Sequence, residues 1–248
     1  MFKSLKVRKN QGWQFIVDLT TAVPAGFRGR PVIAEKPCAR GCVECSKVCP
    51  TKAIALDSVR IDLARCIFCN ECALACPEDK IEFTSETRMG SATPEGLVIV
   101  SGRARPTPVA TSSALKKLFG RSLKLRQVSA GGCNGCELEL NALANVNFDL
   151  QRYGIEWVAS PRHADGLVLS GPLTQNMADA LQLAWDAMPE PRFVVSFGAC
   201  ALSGGPFMDS PALDRAFLDR FKPALFVPGC PPHPLTFIAA ILDLLGVE

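Results

Sequence analysis

The sequence predicts a mixed α/β chain of two folded parts, a small N-terminal α+β module and a larger C-terminal α/β domain with a parallel sheet. Three observations lead to this prediction. A cysteine-rich motif is repeated between residues 37 and 83, short apolar strands alternate with helices from Leu123 onward, and the segment between these regions is rich in Ser, Thr, Pro and Gly. With 248 residues, 48% hydrophobic and 21% charged, the chain is long enough for two cores.

The composition argues against several classes of protein. A formal net charge of +3 is too small to imply nucleic acid as a partner, and a single tyrosine among few aromatics offers little for stacking on bases. The opening stretch, MFKSLKVRKNQGWQFIVDL, is basic and lacks the apolar core and cleavage site of a secretion signal. We therefore expect a reducing, cytoplasmic setting, in which the twelve cysteines are metal ligands and not disulfides.

An internal repeat organises the first part of the chain, because CARGCVECSKVCPTKAIAL is echoed by CIFCNECALACPEDKIEF. The second copy has the spacing C-x2-C-x2-C-x3-C-P, and the first copy has three residues, not two, between its first two cysteines. Thiolates at intervals of two residues can wrap one face of an iron–sulfur cubane, while the fourth thiolate points to the other cluster. The repeat therefore predicts two clusters that cross-link its copies.

This spacing resembles that of bacterial two-cluster ferredoxins. The resemblance implies one cluster bound by Cys38, Cys42, Cys45 and Cys76, and another bound by Cys66, Cys69, Cys72 and Cys49. Cys38 is the irregular member, and Gly41 gives its wider loop the freedom to bring the sulfur back. A three-iron or labile cluster remains an alternative at this site. Zinc remains an alternative to iron–sulfur clusters at both sites, because C-x2-C pairs also build zinc ribbons.

Two stretches outside the repeat are basic. Residues 1–36 are predicted to form a basic N-terminal segment, with seven basic and two acidic residues, before the module at 37–83. Residues 84–122 are predicted to be a linker, and the stretch from residue 84 to Arg126 holds eight basic and two acidic residues. Such stretches are either solvated faces or surfaces for acidic partner subunits or anionic lipid headgroups.

The domain at 123–248 is predicted from its alternating pattern. The expected strands are LKLRQVSA, IEWVASP, DGLVLSGP, RFVVSFGAC and ALFVPGC, and the expected helices lie in ELELNALANV, NMADALQLAWDAM, ALDRAFLDRF and LTFIAAILDLL. Short apolar strands between amphipathic helices indicate a parallel sheet covered on both faces. The uncharged run before Asp243 contains five prolines, so we interpret its end as a buried helix and not as a membrane span.

The four remaining cysteines all follow predicted strands. Ligands of parallel α/β sheets bind beyond the carboxyl ends of the strands, and these positions are Cys133, Cys136, Cys200 and Cys230. A glycine stands one or two residues before each of them, which lets the backbone approach a bulky cluster and donate N–H groups to its sulfurs. A third cluster is therefore predicted at this edge, and buried structural cysteines are the alternative.

The motifs CNGCELE, SPRHAD, SFGAC and PGCPP resemble the small subunit of energy-converting [NiFe]-hydrogenases and formate hydrogenlyases, and its relative in respiratory complex I, over roughly residues 121–246. The stretches MFKSLK and FRGRP and the two cluster runs resemble the ferredoxin-like subunit of the same complexes. The resemblance implies a two-cluster ferredoxin fold followed by a flavodoxin-like domain. It also implies that two neighbouring subunits are fused, with the linker as the seam.

This resemblance implies an oxidoreductase subunit that transfers electrons through three [4Fe-4S] clusters and has no catalytic residues and no nickel site of its own. The implied partners are a separate [NiFe] large subunit, membrane-arm subunits and an electron donor or acceptor such as formate dehydrogenase, carbon monoxide dehydrogenase or ferredoxin. The implied location is cytoplasmic, peripheral on the inner face of the cell membrane. No nucleic acid is expected as a partner.

Alternatives to this function remain open. In the complex I subunit that this chain resembles, the corresponding two cysteines are adjacent. Here Cys133 and Cys136 are separated by two residues, which favours resemblance to the hydrogenase subunit. The same relay in a quinone oxidoreductase or in a nickel-free relative is one alternative, and a zinc-stabilised structural adaptor is another.

A few further residues are singled out by their positions. Glu137 and Glu139 are expected to cap the helix that follows the Cys133–Cys136 loop or to take part in a proton path. Arg162 and His163 are expected either near the third cluster or its partner, or on an ordinary surface. His233 is expected to be a loop residue and not a ligand.

Overall fold

The computed structural model describes residues 2–12, 15–18, 22–102, 109–119 and 122–246. Parts of three predicted segments lie outside the described residues: residues 1, 13–14 and 19–21 of the basic segment, residues 103–108 and 120–121 of the linker, and residues 247–248 of the last domain.

The elements follow one another along the chain as two groups. The first group contains α1 (Phe2–Gln11), β1 (Pro31–Ile33), α2 (Glu44–Lys47), β2 (Ile54–Ala55), β3 (Arg60–Asp62), α3 (Glu71–Leu74), β4 (Ile81–Phe83) and β5 (Val98–Val100). The second group contains α4 (Ser113–Phe119), β6 (Leu123–Ser129), α5 (Gly135–Ala142), β7 (Ile155–Trp157), β8 (Gly166–Ser170), α6 (Gln175–Asp186), β9 (Phe193–Phe197), α7 (Ala199–Ser203), α8 (Ala216–Arg220), β10 (Leu225–Val227) and α9 (Pro234–Leu245).

The second group forms a five-stranded parallel sheet in the order β10-β9-β8-β6-β7. Counted within the domain, this is the order 2-1-3-4-5 of flavodoxin-like folds, so the predicted fold is confirmed. Every residue of β8 and of β9 is buried, as expected for central parallel strands. The connections diverge between β6 and β8, which makes the carboxyl edge between these strands the topological switch point.

Helices cover both faces of this sheet. One core joins the sheet to α4, α5 and α9 and includes the fully buried Phe197 and Phe237. The opposite core joins it to α6 and α8 around Trp185 and Phe217. Ten of the twelve residues of α9 are buried, which agrees with the interpretation of this apolar run as a buried helix. Among the described residues, none of the helices has both the length and the apolar composition of a membrane span.

The first group forms a small module of two antiparallel sheets, β1-β4 and β2-β3-β5, around α2 and α3. Its core combines aliphatic side chains such as Ile61 and Leu63 with three buried cysteines, Cys45, Cys66 and Cys72. The predicted α+β ferredoxin-like fold of this module is confirmed. Strand β1 lies in the segment predicted to be separate, so the module begins before residue 37.

The predicted linker is structured in much of its described part. Strand β5 is the third strand of the sheet with β2 and β3, and Met89 and Leu97 are buried in the module core. The backbone of Ser91 pairs with Phe226 of β10 through two N–H to O bonds of 3.0 and 2.8 Å. The prediction of a plain linker is therefore wrong for this part. It rested on the Ser, Thr, Pro and Gly content of the segment, which outweighs the short apolar run GLVIV that contains β5.

Candidate iron–sulfur sites

The first set of cysteines lines a cavity of about 240 Å³, together with residues that include Pro77 and Ile81. The set comprises Cys38, Cys42, Cys45 and Cys76. Burial raises the pKa of the Cys45 thiol, and the nearby thiolates of Cys76, Cys38 and Cys42 raise it further. The structure thus brings Cys38 to the other three despite its irregular spacing.

The second set brings Cys49 of the first repeat to the three remaining cysteines of the second repeat. Burial raises the pKa of Cys66 to about 12, and the thiolates of Cys72, Cys49 and Cys69 contribute to the rise. Burial raises the pKa of Cys72 to about 11, with further contributions from Cys49 and Cys69. The structure thus places Cys49 near Cys66 and Cys72, and Cys76 near Cys45, while the exchange of the fourth ligand between the repeats stays a prediction from the ferredoxin resemblance.

Backbone N–H groups point at sulfur atoms in both of these sets. Ala53 N lies 3.2 Å from Cys49 Sγ, and Lys80 N lies 3.3 Å from Cys76 Sγ. The two bonds occupy equivalent positions, four residues after the last cysteine of each repeat. A third bond joins Phe68 N to Cys66 Sγ at 3.4 Å. Such donors stabilise negative charge on the sulfurs, which suits cysteines that bind as thiolates.

The third set lies along the carboxyl edge of the parallel sheet. Cys133 lies between β6 and α5, Cys136 is the second residue of α5, Cys200 is the second residue of α7 after β9, and Cys230 follows β10. Burial raises the pKa of Cys136, and Glu137, Cys200, Cys230 and Cys133 raise it further. Burial raises the pKa of Cys200 to about 11, and the thiolates of Cys230 and Cys133 contribute to the rise. The four cysteines are thus near enough to act on one another electrostatically.

Gly198 is required by the geometry of the third set. A Cβ atom at this position would lie 2.7 Å from Cys136 Sγ, closer than a real side chain can approach. Its φ of 89° is also in a region that L side chains rarely adopt. The glycine predicted to permit a close backbone approach therefore does so toward a cysteine sulfur.

Two charged side chains flank the third set. Ser170 Oγ at the end of β8 donates to Glu137 Oε1 at 2.6 Å. Burial alone would raise the pKa of Glu137, but hydrogen bonds from Ser170, Ser129 and its own backbone N–H lower it. Glu137 thus ties α5 to β8, and a capping role for it stays a prediction. Burial raises the pKa of Glu139.

The second charged group is Arg215, which the sequence reasoning did not single out. Its guanidinium donates to the backbone oxygens of Cys200, Ala201 and Leu202. Arg215 follows Cys200 by fifteen residues and belongs to none of the cysteine motifs, so no local pattern marks it.

The other singled-out residues lie away from the cysteines or have structural roles. Arg162 and His163 form a short 3₁₀ turn before β8, at its amino end, whereas the third set lies beyond its carboxyl end, about 13 Å along the strand. The expectation that they lie near the third cluster is therefore wrong, and the surface alternative agrees with their position. His233 caps α9, because its Nδ1 accepts from Leu235 N at 3.2 Å.

A cavity of about 270 Å³ lies between the module and the sheet domain. Its walls include Ile67 and Phe68, from the loop of the second set, and Cys230 and Pro231, from the third. Arg28 supports this contact region, since its Nε donates to Phe68 O at 2.8 Å. The second set is therefore the one that faces the third.

The donor chemistry of the three sets fits [4Fe-4S] clusters. Each set offers four sulfur atoms, the usual ligands of such clusters, and all twelve cysteines are free of disulfides. The cavity of the first set and the N–H groups directed at the sulfurs are further features that suit a cluster.

Comparison with known proteins supports iron–sulfur binding by this chain. A family model described as "NADH ubiquinone oxidoreductase, 20 Kd subunit" matches residues 133–244, and a model described as "4Fe-4S binding domain" matches residues 59–79. The "Probable membrane-bound hydrogenase subunit mbhJ" of Pyrococcus furiosus is 40% identical over 129 residues, which are 52% of this chain and 77% of that protein. The chain belongs to the complex I 20 kDa subunit family.

Other members of the complex I 20 kDa subunit family are similar over the same region. Formate hydrogenlyase subunit 7 of Escherichia coli is 40% identical over 137 residues, 55% of this chain and 53% of the relative. An NADH-quinone oxidoreductase subunit of Clostridium beijerinckii is 40% identical over 111 residues, 44% of this chain and 65% of the relative. This chain thus spans about half of the formate hydrogenlyase protein. As a family member with a 4Fe-4S binding domain, it is an iron–sulfur subunit of an oxidoreductase.

Proposed function

We propose that this chain relays electrons through three [4Fe-4S] clusters to or from a [NiFe] large subunit, in a membrane-associated energy-converting hydrogenase or formate hydrogenlyase-type complex. The observation that carries the proposal is the succession of the three cysteine sets. Cys45 of the first set lies near enough to Cys72 of the second to raise its pKa, and the second set faces the third across the interdomain cavity. When bound, the clusters supply one-electron transfer.

The residues of the chain hold this path together. Cys45, Cys66 and Cys72 anchor the first two sites in the aliphatic core of the module. Phe68, Met89 and Pro231 line the space between the second and third sites, with Arg28 fastened to Phe68 O. Because all three sites belong to one polypeptide, each transfer step is intramolecular and the spacing of the sites is set by the fold.

The proposed partners follow from the relatives and from the exposed end of the path. Relatives named as membrane-bound hydrogenase and formate hydrogenlyase subunits support a hydrogenase-type large subunit and membrane-arm subunits as partners. Cys133 and Cys230 are exposed, and Leu138 of α5 is 61% exposed, which suits a face covered by the large subunit. Formate dehydrogenase, carbon monoxide dehydrogenase or a ferredoxin would serve the opposite end. The complex would sit at the inner face of the cell membrane, with this chain peripheral.

A second candidate function is the same relay in a complex I-like quinone oxidoreductase or in a nickel-free relative. It is favoured by the name of the matching family and by the NADH-quinone oxidoreductase relative. The two-residue separation of Cys133 and Cys136 favours the hydrogenase type.

Elemental analysis of the native complex tests the proposal. The complex is purified without oxygen through a tag on this chain, and iron, nickel and zinc are counted per copy. The expected result is about 12 iron atoms per copy from the three four-iron clusters of this chain, plus any iron of the partners. About one nickel atom per copy is expected from the large subunit. Iron without nickel would select the second candidate. Zinc in place of iron would overturn the relay.

A further inference from the structure

Arg215 closes the carboxyl end of the helix that carries Cys200. Its Nη1 lies 3.3 Å from Cys200 O, and its Nη2 lies 2.8 Å from Ala201 O and 3.0 Å from Leu202 O. The last carbonyl groups of a helix lack partners within the helix and carry partial negative charge. Helix α7 has only five residues, so one guanidinium serves more than half of it. The position of Cys200 therefore depends on a residue that is distant in sequence.

The positive charge of Arg215 is held close to the third cysteine set. The side chain is partly buried, and its charge favours the thiolate of Cys200. Burial lowers the pKa of Arg215, but an arginine pKa starts so far above neutrality that the group stays charged. The nearby Asp219 offsets this charge little, since its side chain is 83% exposed and forms an ion pair with Lys222 at 3.7 Å.

A charge at this place has a defined effect on an electron carrier. The reduced form of a cluster has one more negative charge than the oxidised form, so a neighbouring cation stabilises reduction and a neighbouring carboxylate opposes it. Glu137 lies near Cys136 and Cys200, and Arg215 lies beyond the carboxyl end of α7. Two opposite charges supplied by this chain thus lie near the third set.

We propose that Arg215 is a positioning residue of the third site, which fixes the helix of Cys200 and raises the reduction potential of the cluster bound there. This inference rests on the proposed function. A higher potential at the third site draws electrons toward the end of the path that faces the large subunit. It thereby gives the relay a direction that the cysteines alone do not set.

The test uses the native complex, purified without oxygen, with R215Q, R215K and R220Q in this chain. R215Q keeps a hydrogen-bond donor without the charge, whereas R215K keeps the charge with a different donor geometry. Arg220 is the matched control, because it is exposed and donates to Gln182 Oε1 at 3.1 Å, on α6. The readout is the midpoint potential of each cluster, from a redox titration followed by electron paramagnetic resonance, together with the iron count.

R215Q is expected to lower one midpoint potential by roughly 59 mV, a tenfold change in a one-electron equilibrium constant, and to leave the other two unchanged. R215K and R220Q are expected to keep all three potentials. An unchanged potential in R215Q at full iron content would overturn the inference, and so would an equal shift in R215K. If R215Q loses about four iron atoms, the content of one cluster, R215K is expected to retain those atoms and the native potential. Loss of the same iron from R215K would also overturn the inference. Wild-type complex without iron clusters would instead refute the proposed function.

Discussion

The N-terminal module and the C-terminal domain use their cysteines in opposite ways. In the module, Cys45, Cys66 and Cys72 belong to the core, and the regular elements between them are only two to four residues long. In the domain, aliphatic and aromatic side chains fill both cores, and the cysteines lie beyond the strands at one edge. We infer that cluster binding is part of folding in the module, whereas in the domain a sheet that forms on its own offers a binding edge.

Removal of iron is expected to show the largest difference between the two regions. Without clusters, the two repeats lose the metal-ligand bonds that cross-link them, and structural metal binding supplies folding free energy. We expect the amide hydrogens of α2, α3, β2 and β3 to exchange at least tenfold faster in the iron-free protein. Those of β8 and β9 are expected to stay protected. Hydrogen exchange followed by mass spectrometry, before and after iron chelation under reducing conditions, measures both.

The control for this experiment is C230S, which removes a thiolate from the exposed edge only. It should leave exchange in the module unchanged. Equal loss of protection in both regions of the iron-free protein would contradict the comparison.

A substitution at the contact between the regions is expected to have an intermediate effect. A Cβ atom at Gly90 would lie 2.5 Å from Ala240 Cβ in the core of α9. Overpacking of this kind costs about 1–3 kcal/mol. G90V should therefore weaken the docking of the module on the domain and lower the free energy of unfolding by that amount, as measured by urea denaturation of the iron-loaded protein.

S85V is the matched control for G90V, because Ser85 is exposed in the same segment, after β4. It should change the free energy of unfolding by less than about 0.5 kcal/mol. A G90V protein as stable as the wild type would show that the two regions do not rest on each other at this point.

The smallest expected effect concerns His233, at which the two regions also meet. Its ring lies 5.3 Å from that of Phe27 and 5.7 Å from that of Phe148, and burial lowers its pKa. The unfolded chain therefore binds a proton at higher pH than the folded one. Stability from this group is complete above its ordinary pKa of 6.5 and falls as the pH drops below that value.

H233N keeps an acceptor for the Leu235 N–H but has no ring to protonate. Urea midpoints at pH 7.5 and pH 5.5 should thus differ less in H233N than in the wild type. An identical pH dependence of the two proteins would exclude His233 as the source.

Much of this architecture follows from local patterns in the sequence. The strands and helices of the domain agree with the alternation of apolar runs, and the three cysteine sets agree with their spacing and with the rule for strand ends. Arg215 was missed because its partners are thirteen to fifteen residues away and are backbone atoms, which leave no pattern of residue types. The position of Arg162 and His163 was misjudged because a motif does not tell at which end of a strand it lies. Strand β5 has three residues, too few for a periodic signal.

The backbone pairing of Ser91 with Phe226 has a consequence for the solubility of the chain. Strand β10 is the outermost strand of the parallel sheet, and outermost strands present free N–H and C=O groups to which another chain can add a strand. Ser91 occupies those groups of Phe226 from within the same polypeptide. A C-terminal domain expressed from residue 123 alone would uncover them and invite self-association, whereas a fragment that begins before Gly90 keeps them occupied.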